Sequence, residues 1–190
     1  MNEQFVVPSL GNCRIQSPLP LSTSSQEDNF RFVEDSQRIL DQATFNDLNQ
    51  HELFGGDSPI SFEAAGPRAM TFFDPSKVRA GIVTCGGLCP GINNVIRALV
   101  MQMYHNYGVR RIYGFRYGFQ GFIPKYRHDI MELTPDSVVN IHHQGGSILS
   151  SSRGPQDIGE IVDCLDRHTI KILFCIGGDG TLRGAHAIAQ

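Results

Sequence analysis

The sequence predicts an α/β protein with a doubly wound, mostly parallel sheet and helices on both faces, preceded by an N-terminal extension. Short apolar runs that are rich in β-branched residues alternate with helical patterns from residue 80 onward. Parallel strands need crossover connections, so this alternation favours a parallel sheet. Three of the predicted strands also end in glycine-rich loops. Fold and candidate site are therefore predicted from the same segments.

Composition narrows the class of protein. The net charge is −3 and no run is rich in Lys or Arg, which argues against a nucleic-acid partner or a membrane-surface anchor. No apolar segment approaches the roughly 20 residues that span a bilayer, and the N-terminus lacks the features of a signal peptide. The five cysteines lack the spacing of a disulfide framework, so reduced thiols are expected. Cys85 and Cys89 have no second Cys or His pair nearby, which argues against a zinc site. A cytoplasmic protein is predicted.

Residues 1–74 are predicted to be the extension, and residues 75–190 a nucleotide-binding α/β domain. Residues 17–25 are rich in Ser and Pro and predict a loop, residues 31–49 predict a helix, and residues 55–59 predict a turn. The first 74 residues carry no motif that assigns them a function.

The first strand of the domain is predicted over residues 81–85 and is followed by a glycine loop over residues 86–91. A long helix is predicted next, with Gly108 at its C-terminal end. Its apolar residues recur at i, i+3, i+4, i+7, i+8 and i+11, which predicts one stripe facing the core: Ile92, Val95, Ile96, Leu99, Val100 and Met103.

Residues 111–115 predict a second strand, and Thr134 with Pro135 predicts the start of a short helix. A loop over residues 145–155 then combines glycines, the three consecutive serines at residues 150–152 and Arg153, groups that can donate many hydrogen bonds to phosphate oxygens. An ordinary solvated Ser-rich turn is the alternative. A further helix is predicted over residues 157–167.

The last strand, over residues 172–176, is apolar and predicts burial on both faces of the sheet. Gly177, Gly178 and Gly180 follow, and Thr181 is predicted to cap the next helix. Free N–H groups at a helix N-terminus favour an anion. Asp179 would repel a free phosphate, so it indicates a magnesium-bound nucleotide, with a simple turn-capping role as the alternative.

These elements together predict a Rossmann-like domain. Ligands bind such sheets outside the carboxyl ends of the strands. The loops at Gly86, Gly118 and Gly178 all follow strands, so we expect them to meet around one ligand.

Four ordered motifs carry a family resemblance. They are residues 81–93, beginning Gly-Ile-Val-Thr-Cys-Gly-Gly; residues 114–121, Gly-Phe-Arg-Tyr-Gly-Phe-Gln-Gly; residues 145–157, which contain Ser-Ser-Ser-Arg-Gly-Pro; and residues 177–181, Gly-Gly-Asp-Gly-Thr. Over about residues 80–190 the chain resembles the N-terminal half of 6-phosphofructokinases. The sequences of these motifs most resemble the longer plant-type and protist-type ATP-dependent branch, whose members also carry N-terminal extensions.

This resemblance implies a site for ATP and Mg²⁺, transfer of the γ-phosphoryl group to the 1-hydroxyl of fructose 6-phosphate, and a homo-oligomer, either dimer or tetramer. It implies that Asp179 holds Mg²⁺ and that Gly180 leaves room for the α-phosphate, where pyrophosphate-dependent relatives carry aspartate. ATP is therefore favoured over pyrophosphate. The implied nucleotide-binding residues are Gly86, Arg153, Gly154, Gly178, Asp179, Gly180 and Thr181.

Two departures from the family pattern qualify these expectations. The segment Thr-Ile-Asp-Asn-Asp, which supplies the family's catalytic base, is absent, so no catalytic residue is predicted. We accordingly expect a chain truncated before the sugar-phosphate half. Bacterial members use two arginines for an allosteric effector, and here Arg97 matches the first whereas Met101 occupies the second.

Other functions compete with this one. NAD kinases and lipid kinases share the Gly-Gly-Asp-Gly-Thr signature, although they do not account for the Arg116 and Arg153 loops. A non-catalytic nucleotide-sensing module is the other alternative. A dinucleotide-binding dehydrogenase fails on glycine spacing.

Overall fold

The computed structural model describes residues 8–21, 31–41 and 60–190. The chain divides into two compact units, Met1–Phe73 and Asp74–Gln190. None of the helices in the described ranges has the length and apolarity needed to cross a membrane.

The described part of the first unit contains two small antiparallel pairs. Strand β1 (Ile15–Gln16) pairs with β4 (Met70–Thr71), and β2 (Arg38–Leu40) pairs with β3 (Ser61–Glu63). The predicted helix over residues 31–49 is therefore wrong at β2. Pairing with a strand more than 20 residues away supplies backbone bonds that local pattern does not reveal. The rest of that helix, from residue 42, and the predicted turn at residues 55–59 lie outside the described residues.

A four-stranded sheet organises the second unit. Its strands are β5 (Arg79–Thr84), β6 (Arg111–Phe115), β7 (Ile130–Glu132) and β8 (Ile172–Ile176), in the spatial order β7-β6-β5-β8. Strand β5 is parallel to both β6 and β8, whereas β7 is antiparallel to β6. The predicted mostly parallel sheet is confirmed, with β7 as an addition that the sequence did not predict.

The helices connect these strands in a doubly wound order. They are α1 (Ile92–Met101), which continues as a π-helical turn over Gln102–Asn106, then α2 (Pro135–Val138), α3 (Ile158–Arg167) and α4 (Asp179–Ala189). The chain leaves β5 toward β6 and returns to β8 on the other side of β5. Right-handed crossovers in opposite directions place α1 and α3 on opposite faces of the sheet.

The packing of side chains agrees with this arrangement, because successive residues of a strand face opposite sides. Val83 and Phe115 pack in one cluster with Ile161 and Cys164 of α3. The side chains that face the other side are fully buried as well, with an exposed fraction of 0 % for Ala80, Ile82 and Ile112. The α/β fold with helices on both faces is thus confirmed.

Helix α1 buries a slightly different stripe from the one predicted. Ile92, Ile96, Val100 and Met103 are buried, but Val95 is 45 % exposed and Asn93 is only 2 % exposed. The buried arc is shifted because the Asn93 amide bonds to a neighbouring loop, which apolar periodicity cannot anticipate. Gly108 has φ +74° just beyond the helical segment, which confirms its predicted position at the end.

Two expectations at the last strand and helix are wrong. Strand β8 is half-buried along its length rather than buried on both faces, because it has one neighbour, β5, in the described sheet. Helix α4 begins at Asp179, after Gly178, so Thr181 lies inside its first turn rather than capping it. Thr181 is instead a buried residue.

Candidate functional site

A cavity of about 600 Å³ lies where the strand order reverses, at the carboxyl ends of β5 and β8. That volume is in the range of small-molecule sites, about 300–1,000 Å³. All seven residues predicted to bind nucleotide line it: Gly86, Arg153, Gly154, Gly178, Asp179, Gly180 and Thr181. Gly118 does not line the cavity itself, but it packs against Ser152, and the adjoining Phe119 does line it.

The glycines after β8 have two distinct roles. A Cβ on Gly177 would overlap the Thr181 side chain and approach the Cys85 carbonyl oxygen to 2.7 Å, so this position requires glycine. A Cβ on Gly178 or Gly180 would meet nothing within 4 Å. Gly178 has no side chain that could cap α4. Because residues 178–181 line the cavity, the first N–H groups of α4 and the positive end of its dipole lie at the cavity wall.

Asp179 brings a single carboxylate to this positive helix end. The side chain is exposed, and the ion pairs found in the described ranges, Arg68–Asp35 and Lys77–Asp74, do not involve it. The same ranges hold no cluster of three His, Cys, Asp or Glu side chains that could form a self-contained metal site. One unpaired carboxylate in the lining of the cavity suits Mg²⁺, which proteins often bind through one or two carboxylates plus substrate phosphates.

Arginines supply positive charge to the cavity. Arg153 Nη2 lies 3.3 Å from where a Cβ on Gly87 would stand, so a side chain at position 87 would crowd the guanidinium that lies over its backbone. Gly154 follows with φ +97°, a conformation that favours glycine. Arg183, on α4, is a second guanidinium in the lining. Arginine is well matched to phosphate because its planar fork presents several donors.

Hydrogen bonds hold the serine loop before Arg153 against the end of β5. The Ser151 hydroxyl donates to the Gly86 carbonyl oxygen (2.6 Å), and the Gly86 N–H donates to the Ser152 carbonyl oxygen (2.9 Å). The Thr84 hydroxyl donates to the Ser150 carbonyl oxygen (2.6 Å). The Ser151 hydroxyl, one of the groups that could donate to a phosphate, is used here to hold the loop in place.

Cys85 contributes a neutral sulfur to the cavity wall. Burial raises the pKa of its thiol to about 12, and hydrogen bonds to the sulfur from the Phe119 N–H and the Thr181 hydroxyl act in the opposite direction. The side chain is a thiol at neutral pH, so it neither repels a phosphate nor serves as a nucleophile.

Several lining residues were missed by sequence reasoning. Phe119, Ile158 and Ile161 form an apolar wall, and a Cβ on Gly184 would come within 2.6 Å of the Phe119 ring. The other lining residues outside the predicted set are Cys85, Gly87, Ser152, Pro155, Gln156 and Arg183, of which Ser152 and Pro155 belong to the serine loop that the sequence singled out. Helical spacing could have identified Arg183, because it lies four positions after Asp179 and therefore on the same side of α4.

A more open groove of about 730 Å³ adjoins the cavity. The two share Gly86, Gly87, Ser152 and Arg153, and the groove is otherwise lined by Leu88, Gly145, Gly146, Ser147, Ser150 and Ser151. Arg153 therefore stands between two open spaces.

Comparison with known proteins places this architecture in a family. The phosphofructokinase family model matches residues 79–190. An ATP-dependent 6-phosphofructokinase of Amycolatopsis methanolica is 49 % identical over 93 % of the chain and 38 % of its own length. The enzyme of the same name from Borreliella burgdorferi is 41 % identical over 100 % of the chain and 41 % of its own length. These matches also reach into the residues before 79, where the sequence offered no motif.

Solved structures agree. The Pichia pastoris phosphofructokinase in the T-state has a TM-score of 0.52 and 26 % identity, and the match covers 68 % of this chain and 14 % of that one. A pyrophosphate-dependent phosphofructokinase from Marinobacter aquaeolei has a TM-score of 0.52 at 18 % identity, over 60 % of this chain and 29 % of that one, which shows the fold alone. The chain spans about two fifths of the length of the two curated relatives named above, and it belongs to the phosphofructokinase family.

Proposed function

We propose that this chain is the nucleotide-binding part of an ATP-dependent 6-phosphofructokinase, which transfers the γ-phosphoryl group of Mg-ATP to the 1-hydroxyl of D-fructose 6-phosphate. The observation that carries the proposal is the convergence of all seven expected residues on one cavity at the strand-order reversal. Relatives at 41–49 % identity are named for this activity.

The two ends of the cavity suit the two ends of ATP. Phe119, Ile158 and Ile161 offer an apolar wall for the adenine, while the first turn of α4 and Arg153 offer N–H and guanidinium donors for the phosphates. Phosphoryl transfer depends mainly on positioning and charge neutralisation, and such donors supply both.

Asp179 is the residue that would hold Mg²⁺. It is the one carboxylate among the described residues that line the cavity, and it adjoins the proposed phosphate end. When bound, Mg²⁺ would neutralise charge that develops on the transferred phosphoryl group. Because this carboxylate is assigned to Mg²⁺ binding, we assign the role of catalytic base to no residue of this cavity.

The donor is ATP rather than pyrophosphate in this proposal because position 180 is glycine and the space beside it is open. Pyrophosphate remains the alternative donor. A homo-oligomer and a cytoplasmic location accompany the proposal by analogy with the family.

The test is the donor and acceptor dependence of phosphorylation by the full-length gene product in the presence of Mg²⁺. We expect turnover with ATP and fructose 6-phosphate, and none with NAD or diacylglycerol as acceptor. Turnover with pyrophosphate alone would keep the fold and the sugar acceptor but contradict the donor. Nucleotide binding without phosphorylation of any acceptor would favour the sensing module.

A further inference from the structure

The described residues of the second unit bury three polar side chains almost completely. Thr84, Asn93 and Thr181 are 1 %, 2 % and 5 % exposed. Burying an amide or a hydroxyl is costly unless its hydrogen bonds are satisfied, so each of these side chains must serve a specific partner. Thr181 lines the cavity, whereas Asn93 lies on α1 and does not.

Asn93 bonds to both ends of one bend in the chain. Its Nδ2 donates to the Gln144 carbonyl oxygen at 3.0 Å, and its Oδ1 accepts from the Ile148 N–H at 2.9 Å. The bend between them contains Gly146 at φ +76°. One amide side chain therefore links the two ends of a glycine-containing loop, whose middle is bonded to Thr84 through the Ser147 hydroxyl.

The segment after this bend leads to Arg153 through contacts that leave it little freedom. Leu149 is fully buried and packs closely on Gly114. Ser150, held by Thr84, has φ +57°, and the next two residues are bonded to Gly86. A shift at Ile148 would thus be passed along five residues to the guanidinium that lies over Gly87.

We propose that Asn93 is a positioning residue of the phosphoryl-donor site, which it serves by clamping the bend at residues 144–148 and so placing Arg153 over Gly87. The inference rests on the proposed function, since it assigns Arg153 to the donor phosphates. Asn93 does not itself line the cavity, so it acts through the loop.

The test is a double-mutant cycle in the full-length protein, with Mg-ATP affinity as the readout. We expect Asn93→Ala to weaken Mg-ATP binding about tenfold when Arg153 is present. In an Arg153→Ala background the same substitution should change the affinity less than twofold, because its effect passes through that arginine. Equal effects in both backgrounds would overturn the proposal.

A second measurement does not depend on any ligand. Hydrogen exchange of the amides at residues 145–152 should accelerate in Asn93→Ala. Asn93→Asp, which keeps an acceptor for the Ile148 N–H but places a carboxylate against the Gln144 carbonyl, should show a similar effect if the alanine variant does not fold. The matched control is Val100→Ala, a fully buried position on the same helix that has no bond to the loop.

The two measurements separate the inference from the function on which it rests. Loop exchange that rises as much in Val100→Ala as in the Asn93 variants would reduce Asn93 to a general stabiliser and overturn the inference. A wild-type protein that binds no Mg-ATP would overturn the proposed function, and the exchange comparison would still decide whether Asn93 clamps the bend.

Discussion

Replacing Gly180 by Asp should weaken ATP binding strongly without harming the fold. A Cβ at this position meets nothing within 4 Å, so the side chain has room. Gly180 is the second residue of α4. There an aspartate gains helix propensity over glycine and interacts favourably with the helix dipole, by about 0.3–1 kcal/mol for the charge. The variant should melt at or slightly above the wild-type temperature.

The substitution should instead lower the affinity for ATP. The new carboxylate would stand at the mouth of the cavity, beside the space that we assign to the α-phosphate. Two like charges about 5 Å apart at an effective dielectric constant of about 20 repel by about 3 kcal/mol. Such a penalty weakens binding roughly a hundredfold.

The assay is titration of the variant with Mg-ATP by calorimetry, alongside a thermal melt. Gly180→Asn is the matched control, because it adds nearly the same volume without the charge, and we expect it to lose less than threefold in affinity. Wild-type affinity in Gly180→Asp would refute the placement of the phosphate. Equal losses in both variants would show that volume rather than charge decides.

Three further outcomes are expected. Asp179→Asn should abolish the Mg²⁺ dependence of nucleotide affinity, measured by titration with and without the metal; a retained dependence would contradict its metal role. Gly114→Ala should destabilise the fold by about 1–3 kcal/mol in chemical denaturation, because the methyl group would overlap Leu149; unchanged stability would contradict the close packing of these two residues. The raised pKa of Cys85 means that its contribution to stability is complete below about pH 9 and is lost as pH rises toward about 12. Unfolding free energy should therefore fall less over that range in Cys85→Ala than in wild type, and an identical fall would contradict the assignment.

The sequence was sufficient for the parts of the fold that depend on local pattern. Strands β5 and β6 are apolar runs, α3 has an amphipathic period with Asp157 as its cap, and all were located to within a few residues. The rule that ligands bind outside the carboxyl ends of parallel strands then predicted that the loops at Gly86 and Gly178 line one cavity, as they do.

Features that depend on which elements become neighbours were not predictable in this way. An apolar strand such as β8 has the same sequence pattern at the edge of a sheet as at its centre, so its half-burial could not be predicted. The clamp made by Asn93 carries no periodic signal, because a buried amide inside an apolar stripe looks like an interruption. Likewise, Phe119 appeared as a loop aromatic until the fold brought it against α4.

The contrast between Gly177 and Gly180 bears on how this site can evolve. Position 177 is closed to change, since any side chain there would collide with Thr181 and the β5 end. Position 180, only three residues along the same loop and helix, accepts a side chain without strain. The residue that the proposed function sets beside the donor phosphates can therefore change through one codon, with no compensating substitution in the core.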